Sequence, residues 1–190
     1  MNDYNTQSNI FNLEAVNIKD GDIQAFERCY RYYCQKLIEF ACYYVKDIYS
    51  AENIVQDVFL NLWQNRDKID PSSNLKSYIY KATKNRALKV IRKQNTEQKY
   101  RNVQEERIIY AEFSDAKVLE KELDLQLNNA IDGLPEKCRI IFCMNRYNHL
   151  TYREIASVLD ISVKTVETQM GRALKILRRK LAHLFVSVFI

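Results

Sequence analysis

The sequence predicts an all-α fold of two small helical domains joined by a flexible linker, and three observations predict it. Only three glycines and two prolines occur in 190 residues, too few for the turns that sheet-rich folds need. Apolar residues recur at helical spacing in several separate runs. A polar stretch of mixed charge, Thr96 to Asp115, divides those runs into two groups and reads as a linker. The expected domains are therefore residues 20–95 and 116–190, with 96–115 between them. Domains of roughly 100 residues are of ordinary size. Hydrophobic residues at 47% and aromatics at 12% suffice for two modest cores and exclude a disordered chain.

The first helix carries the stripe Ile23, Phe26, Tyr30, Tyr33, Leu37, Phe40 and Tyr44, with Asp20 or Asp22 able to cap its start. A second is expected to begin after Ser50 as N-cap, with Glu52 in its first turn and Val55, Val58, Phe59 and Leu62 as its inner face. The run NRDKIDPSSN then breaks the pattern at Pro71. A third helix spans about Asn74 to Gln94, with Leu75, Tyr78, Ile79, Ala82, Val90 and Ile91 as apolar positions. Beyond the linker a fresh stripe appears at Leu119, Leu123, Leu127, Ala130 and Ile131. Gly133 suits a helix C-cap, and Pro135 suits the first turn of the next helix, which carries Ile140, Ile141, Cys143 and Met144.

The segment LTYREIASVLDISVKTVETQMGRALKILRRKL reads as a helix-turn-helix. Thr151 and Glu154 form a capping-box pair. Ile155, Ala156 and Leu159 give a short helix its inner face, and Asp160 and Ile161 make the turn. Asp is among the residues that tolerate the left-handed backbone such a turn demands. Ser162 caps a second helix with Val163, Val166, Met170, Leu174, Leu177 and Leu181 along one side. Two helices crossing steeply need a small residue at their contact, and Ala156 facing Val166 supplies it. The outer face bears Lys164, Thr165, Glu167, Thr168, Gln169 and Arg172, followed by Lys175, Arg178, Arg179 and Lys180. Side chains near the start of such a helix reach base edges in the major groove, and the distal cations suit phosphates. Charge alone would fit a solvated helix face; the caps, the small contact residue and the turn together point to duplex DNA.

The third helix is basic as well, with Lys76, Lys81, Lys84, Arg86, Lys89, Arg92 and Lys93, and with Tyr78 and Tyr80 among them. Interleaved rings and cations suit single-stranded DNA, on which bases stack and phosphates pair. A solvated helix with its tyrosines in the core fits the same pattern.

Other classes of function find little support. Cys29, Cys34, Cys42, Cys138 and Cys143 include no CxxC pair, and His149 and His183 complete no zinc pattern, so reduced thiols in a cytoplasmic protein and no metal are expected. Residues 1–18 lack the basic end and apolar run of a signal peptide. The apolar tail Leu184 to Ile190 is far shorter than the ~20 residues of a membrane span and is expected to extend the last helix and pack on protein. No phosphate-binding loop, HExxH or Ser/His/Asp set is present, so neither catalysis, nor a cofactor, nor a small-molecule substrate is expected.

Four segments in order, AENIVQDVFLNLWQNRDKI, LKSYIYKATKNRALKVIRK, GLPEKCRIIFCM and the helix-turn-helix, resemble the extracytoplasmic-function (ECF) sigma factors over about Asp20 to Leu181. In detail the chain resembles the subgroup abundant in Bacteroidetes. The resemblance implies a protein that binds core RNA polymerase, through the β′ clamp helices and the β flap, and directs promoter-specific initiation. Its polymerase-contacting surface would be Asp57, Leu60, Asn61, Trp63 and Gln64, although Trp63 could equally anchor the core. The first domain would melt the minus-ten element and capture a flipped base in the loop Asn65 to Asn74. The residues implied are Arg66, Lys68, Ser73, Asn74, Lys76, Tyr78, Lys81, Lys84, Asn85, Arg86 and Lys89. The second domain would read the minus-thirty-five element with Ser162, Lys164, Thr165, Thr168, Gln169, Arg172 and Lys175, among which Arg172 has a guanidinium fork suited to a base or phosphate. The linker would pass toward the RNA exit path, and an anti-sigma protein would hold the chain inactive. The rival is a stand-alone helix-turn-helix regulator, which needs a dimer interface or an acceptor domain that the basic first half does not supply.

Overall fold

The computed structural model describes the backbone over residues 15–98 and 118–187, with side chains over 15–96 and 125–182. Among these residues every regular element is helical. The chain divides into two compact units between residues 110 and 111.

In the first unit a short helical stretch over residues 15–19 precedes α1 (Ile23–Val45), α2 (Ile48–Gln64), a single 3₁₀ turn (Arg66–Lys68) and α3 (Leu75–Gln98). Asp22 caps α1, its carboxylate accepting from the amides of Gln24 at 2.8 Å and Ala25 at 3.2 Å. Lys46 ends α1 in the left-handed conformation. The next residue, Asp47, already caps α2, accepting from the Ser50 amide at 2.8 Å. Sequence reasoning put that cap at Ser50, three residues late. A carboxylate is the stronger acceptor for the exposed amides at a helix start and also complements the positive end of the helix dipole.

Tyr33, Leu37 and Phe40 of α1, Ile54, Val55 and Leu62 of α2, and Leu75, Ile79 and Tyr80 of α3 form the core of this unit. Two expectations fail there. Ile23 is 67% exposed, and Ala25 and Cys29 take the inner face of α1 at that end. Of the two tyrosines expected among the α3 cations, Tyr80 is fully buried, whereas Tyr78, also counted among the apolar positions, is 45% exposed. The third helix also runs on past Gln94, since no Gly or Pro interrupts it and the Thr96 hydroxyl bonds back to the Arg92 carbonyl at 2.9 Å.

The second unit contains α4 (Val118–Asp132), α5 (Glu136–Arg146), α6 (Tyr152–Leu159) and α7 (Val163–Ser187). All of α4, α5 and α6 pack on α7. Ala130 and Ile131 are buried as expected; the side chains of Leu119 and Leu123 lie outside the described residues. Pro135 is the N-cap of α5 rather than its first helical residue. Cys138, Ile140, Ile141, Cys143 and Met144 bury its inner side. On α7 the buried row is Val166, Met170, Ala173 and Leu177. Leu174 was expected in that row, but Ala173 is three residues from Met170 and four from Leu177, and it holds the inner position. Leu174 is 46% and Val163 38% exposed. The α7 backbone continues to Ser187; the packing of the apolar tail and most of the linker lie outside the described residues.

Hydrogen bonds from the Ser50 side chain and amide hold the Asp47 carboxyl below its ordinary range. A depressed pKa contributes stability that is full above about pH 4, the unfolded value, and is lost as pH falls through the folded value. Replacing Asp47 with Ala should therefore cost about 1 kcal/mol at pH 7. That difference should shrink in acid, and Asp47→Asn, which keeps an acceptor, should cost less. Urea unfolding followed by the fluorescence of Trp63, the single tryptophan, measures all three.

Candidate nucleic-acid interface

α3 must bury Leu75, Ile79, Tyr80, Thr83 and Ala87, and helical periodicity then fixes what the opposite side presents. Tyr78, Ala82, Asn85, Arg86 and Lys89 share that outer face and line one wall of a groove of about 430 Å³. The other wall comes from α2, where Asp57, Leu60, Asn61 and Gln64 recur at helical spacing beside Val58. Four of the five candidate polymerase contacts and part of the candidate strand contacts thus face one groove. Arg86 pairs with Asp57 across it, both side chains being nearly half exposed.

The remaining candidates sort differently. Lys84 is only 8% exposed, on the inner side of α3 with Thr83, so it is not one of the outward cations expected to hold the strand. Lys76 and Lys81 are half-buried. Trp63 faces away from the groove, half-buried against Phe26 with ring centroids 5.0 Å apart. The Arg66 guanidinium lies 4.6 Å from the Trp63 ring centre and donates to the Trp63 carbonyl at 2.9 Å. Both residues are thereby tied to each other.

The loop after α2 is tightly self-bonded. Lys68 donates to the Asn65 side chain at 3.0 Å. The Asp70 carboxylate accepts from the hydroxyl of Ser72 at 2.7 Å and its amide at 2.9 Å, and these bonds hold its pKa below the ordinary carboxylate range. Ser73 Oγ donates to the Asp70 carbonyl at 2.6 Å. Asn74 caps α3 through the Ser77 amide at 2.9 Å. The loop therefore offers shaped backbone and the exposed Lys68, Ser72 and Asn74.

In the second unit the full capping box is present. Thr151 Oγ1 accepts from the Glu154 amide at 3.2 Å, and the Glu154 carboxylate accepts from the Thr151 amide at 2.7 Å. Eight residues make too short a helix to persist by propensity. α6 depends on this cap and on burying Ile155, Ala156 and Val158; Val158, rather than the expected Leu159, completes the inner face. Asp160 adopts the left-handed conformation at φ 57° and ψ 46°, as its place in the turn requires. Ser162 Oγ accepts from the Thr165 amide at 3.1 Å and starts α7. Lys164, Thr165, Thr168, Arg172 and Lys175 are exposed on the side of α7 away from its buried row. The Ser162 and Thr165 hydroxyls bond each other at 2.8 Å, and Thr168 bonds back to the Lys164 carbonyl at 2.8 Å. Gln169 is turned partly inward, its Oε1 accepting from the Cys138 thiol at 3.1 Å.

Sequence reasoning missed the other wall of this region. Pro135, Glu136, Lys137 and Cys138 at the start of α5 line a groove with Gln169, Arg172, Lys175 and Ile176. The signal lay in the Pro-Glu-Lys helix start, but its meeting with α7 is a tertiary fact. Among the described residues no cluster suited to a metal ion occurs, and no helix is long and apolar enough to cross a membrane.

Comparison with known proteins gives a consistent picture. The family model described as Sigma-70 region 2 matches residues 29–97, and that described as Sigma-70, region 4 matches residues 124–177. The ECF RNA polymerase sigma factor SigW of Bacillus subtilis is 27% identical over 177 residues, 88% of this chain and 94% of that protein. The RNA polymerase sigma factor SigV of the same organism is 29% identical over 147 residues, 77% of this chain and 85% of its own. Among solved structures, CnrH in complex with the cytosolic domain of CnrY matches with a TM-score of 0.63 at 20% identity, over 92% of this chain and 98% of that one. The sigma factor RpoE of Bartonella quintana, in complex with the anti-sigma factor NepR, matches with a TM-score of 0.65 at 19% identity, over 84% and 98%. At these identities the two structures speak to the fold.

The Asp57–Arg86 pair is exposed enough that its worth should be small. A double-mutant cycle of Asp57→Ala and Arg86→Ala, read by Trp63 fluorescence in urea, should give a coupling below about 1 kcal/mol. The pair orients a guanidinium in the groove more than it stabilises the fold.

Proposed function

The chain belongs to the sigma-70 family as an ECF sigma factor, and from that premise we propose how its residues divide the work of directing transcription initiation at promoters. The observation that carries the division is the presence of two DNA-suited surfaces of different kinds. One is an exposed ring and cations on α3, suited to an unpaired strand; the other is a capped helix-turn-helix, suited to a duplex.

In this reading residues 20–95 act as the polymerase-binding and minus-ten module, residues 116–190 as the minus-thirty-five module, and 96–115 as the linker. Asp57, Leu60, Asn61 and Gln64 meet the polymerase β′ clamp helices, and the second module meets the β flap. Tyr78 stacks with an unpaired base, while Asn85, Arg86 and Lys89 hold the strand. The loop from Asn65 to Asn74, with Lys68, Ser73 and Asn74, receives a flipped base. Capturing a base there offsets the few kcal/mol that unstacking costs. Arg66 and Trp63 support that loop, since each is bonded to the other. On α7, Lys164, Thr165, Thr168, Arg172 and Lys175 face the upstream duplex, with Ser162 setting the helix start.

The chain lends binding energy to strand opening and does no chemistry itself. An anti-sigma protein is its inhibitor, a reading supported by the two structural neighbours bound to CnrY and NepR. It works in the cytoplasm, and we place it in the Bacteroidetes-like subgroup on the sequence resemblance.

Core RNA polymerase supplemented with this chain should start transcripts at one defined promoter position in vitro. Absence of binding to core polymerase at low salt would contradict the assignment. Within that assay, Arg172→Ala should weaken recognition of the upstream element by about 1–3 kcal/mol if the guanidinium bonds a base, with core affinity unchanged. Loss of core affinity would place Arg172 on the wrong surface.

A further inference from the structure

We propose that Lys19 is a positioning residue for promoter opening, holding the loop over residues 65–74 in its working shape through the Ile69 carbonyl. The proposal rests on the reading of that loop as a contact for the opened strand.

The loop consists of two turns, each closed by its own bonds. In the first, the Lys68 amide donates to the Asn65 carbonyl at 3.0 Å and the Ile69 amide to the Arg66 carbonyl at 3.1 Å. In the second, the Ser73 amide donates to the Asp70 carbonyl at 2.9 Å, and Ser72 bonds the Asp70 carboxylate. Neither set of bonds fixes how one turn sits on the other. That depends on the joint, Ile69–Asp70. Lys19 Nζ donates to the Ile69 carbonyl at that joint, at 3.0 Å, from fifty residues away in sequence.

Lys19 stands on a firm post. Its helical stretch, residues 15–19, buries Ala15 and Ile18 completely. The chain then turns at Gly21 with φ +87°, where a side chain would be strained. A Cβ there would lie 3.7 Å from the Arg66 guanidinium nitrogen Nε. Lys19 thus bonds the loop at Ile69, and the turn at Gly21 lies near Arg66. Behind the bonds from Ser72, the Lys19 charge also helps keep Asp70 ionised. Lys19 and Gly21 lie before residue 29, where the match to the region 2 family model begins, whereas the loop lies inside it. A loop already ordered when the strand arrives loses less affinity to ordering, which is the advantage such a tie confers.

The test uses holoenzyme assembled from core polymerase and the full chain, with Lys19→Met and Lys19→Arg. The probe is a single-stranded oligonucleotide of the non-template minus-ten sequence. Lys19→Met should bind it about 3- to 10-fold more weakly through lost preorganisation, while Lys19→Arg retains most affinity. Core affinity should stay unchanged. The salt dependence should keep its slope, because losing a phosphate contact would reduce that slope by about 1. Hydrogen exchange at the amides of residues 66–70, 72 and 73 should quicken in Lys19→Met. A reduced salt slope would make Lys19 a phosphate contact and overturn the proposal. A control variant, Lys68→Ala with Asn74→Ala, separates the remaining outcomes. If it loses strand affinity while Lys19→Met binds as the native chain does, the positioning role is wrong and the loop reading stands. If neither loses affinity, the loop reading falls and the proposal with it.

Discussion

The packing of one ring governs the first unit. Tyr80 lies edge-on to Phe40 at 5.2 Å and to Tyr33 at 6.4 Å, both on α1. Such aromatic pairs contribute about 0.5–1.5 kcal/mol each beyond the area they bury. Their larger consequence is rotational. With Tyr80 inward, a 3.6-residue period places Thr83 and Ala87 inside and leaves Tyr78, Asn85, Arg86 and Lys89 outside. The same rotation takes Lys84 out of the exposed set. What the outer face of α3 presents is therefore decided by an aromatic contact on its far side.

The second unit solves a similar problem with capping. α6 is too short to stand alone, yet its angle to α7 determines what α7 can offer a groove. The Thr151–Glu154 box fixes where α6 starts, and the left-handed Asp160 fixes where it stops. Ser162 then starts α7 almost at once. Each surface is modest by itself. Joined on one chain, the second binding event becomes intramolecular, so two weak grips act as a strong one.

Much of this was legible in the sequence. The all-α class followed from sparse Gly and Pro, and the helix-turn-helix from local signals that depend only on neighbours: Thr151 with Glu154, Asp160 in the turn, Ser162 at the next start. What was not legible depended on partners distant in sequence. Tyr78 and Tyr80 are two residues apart and chemically alike, so only the position of α1 tells which is core. Leu174 is a better hydrophobe than Ala173, but the close approach of other helices to α7 selects the smaller side chain. Asp47 and Ser50 are both good caps, and the two-residue connection from α1 selects the first. The bond from Lys19 to Ile69 crosses fifty residues, and nothing in the composition of either segment announces it.

The most direct measurement places a fluorescent adenine analogue, quenched by stacking, in the minus-ten element of a duplex promoter. Fluorescence should rise when core polymerase and this chain are both present, and with neither alone. A probe that stays dark with both, while the chain by itself protects the duplex, would show a stand-alone duplex binder and contradict the account.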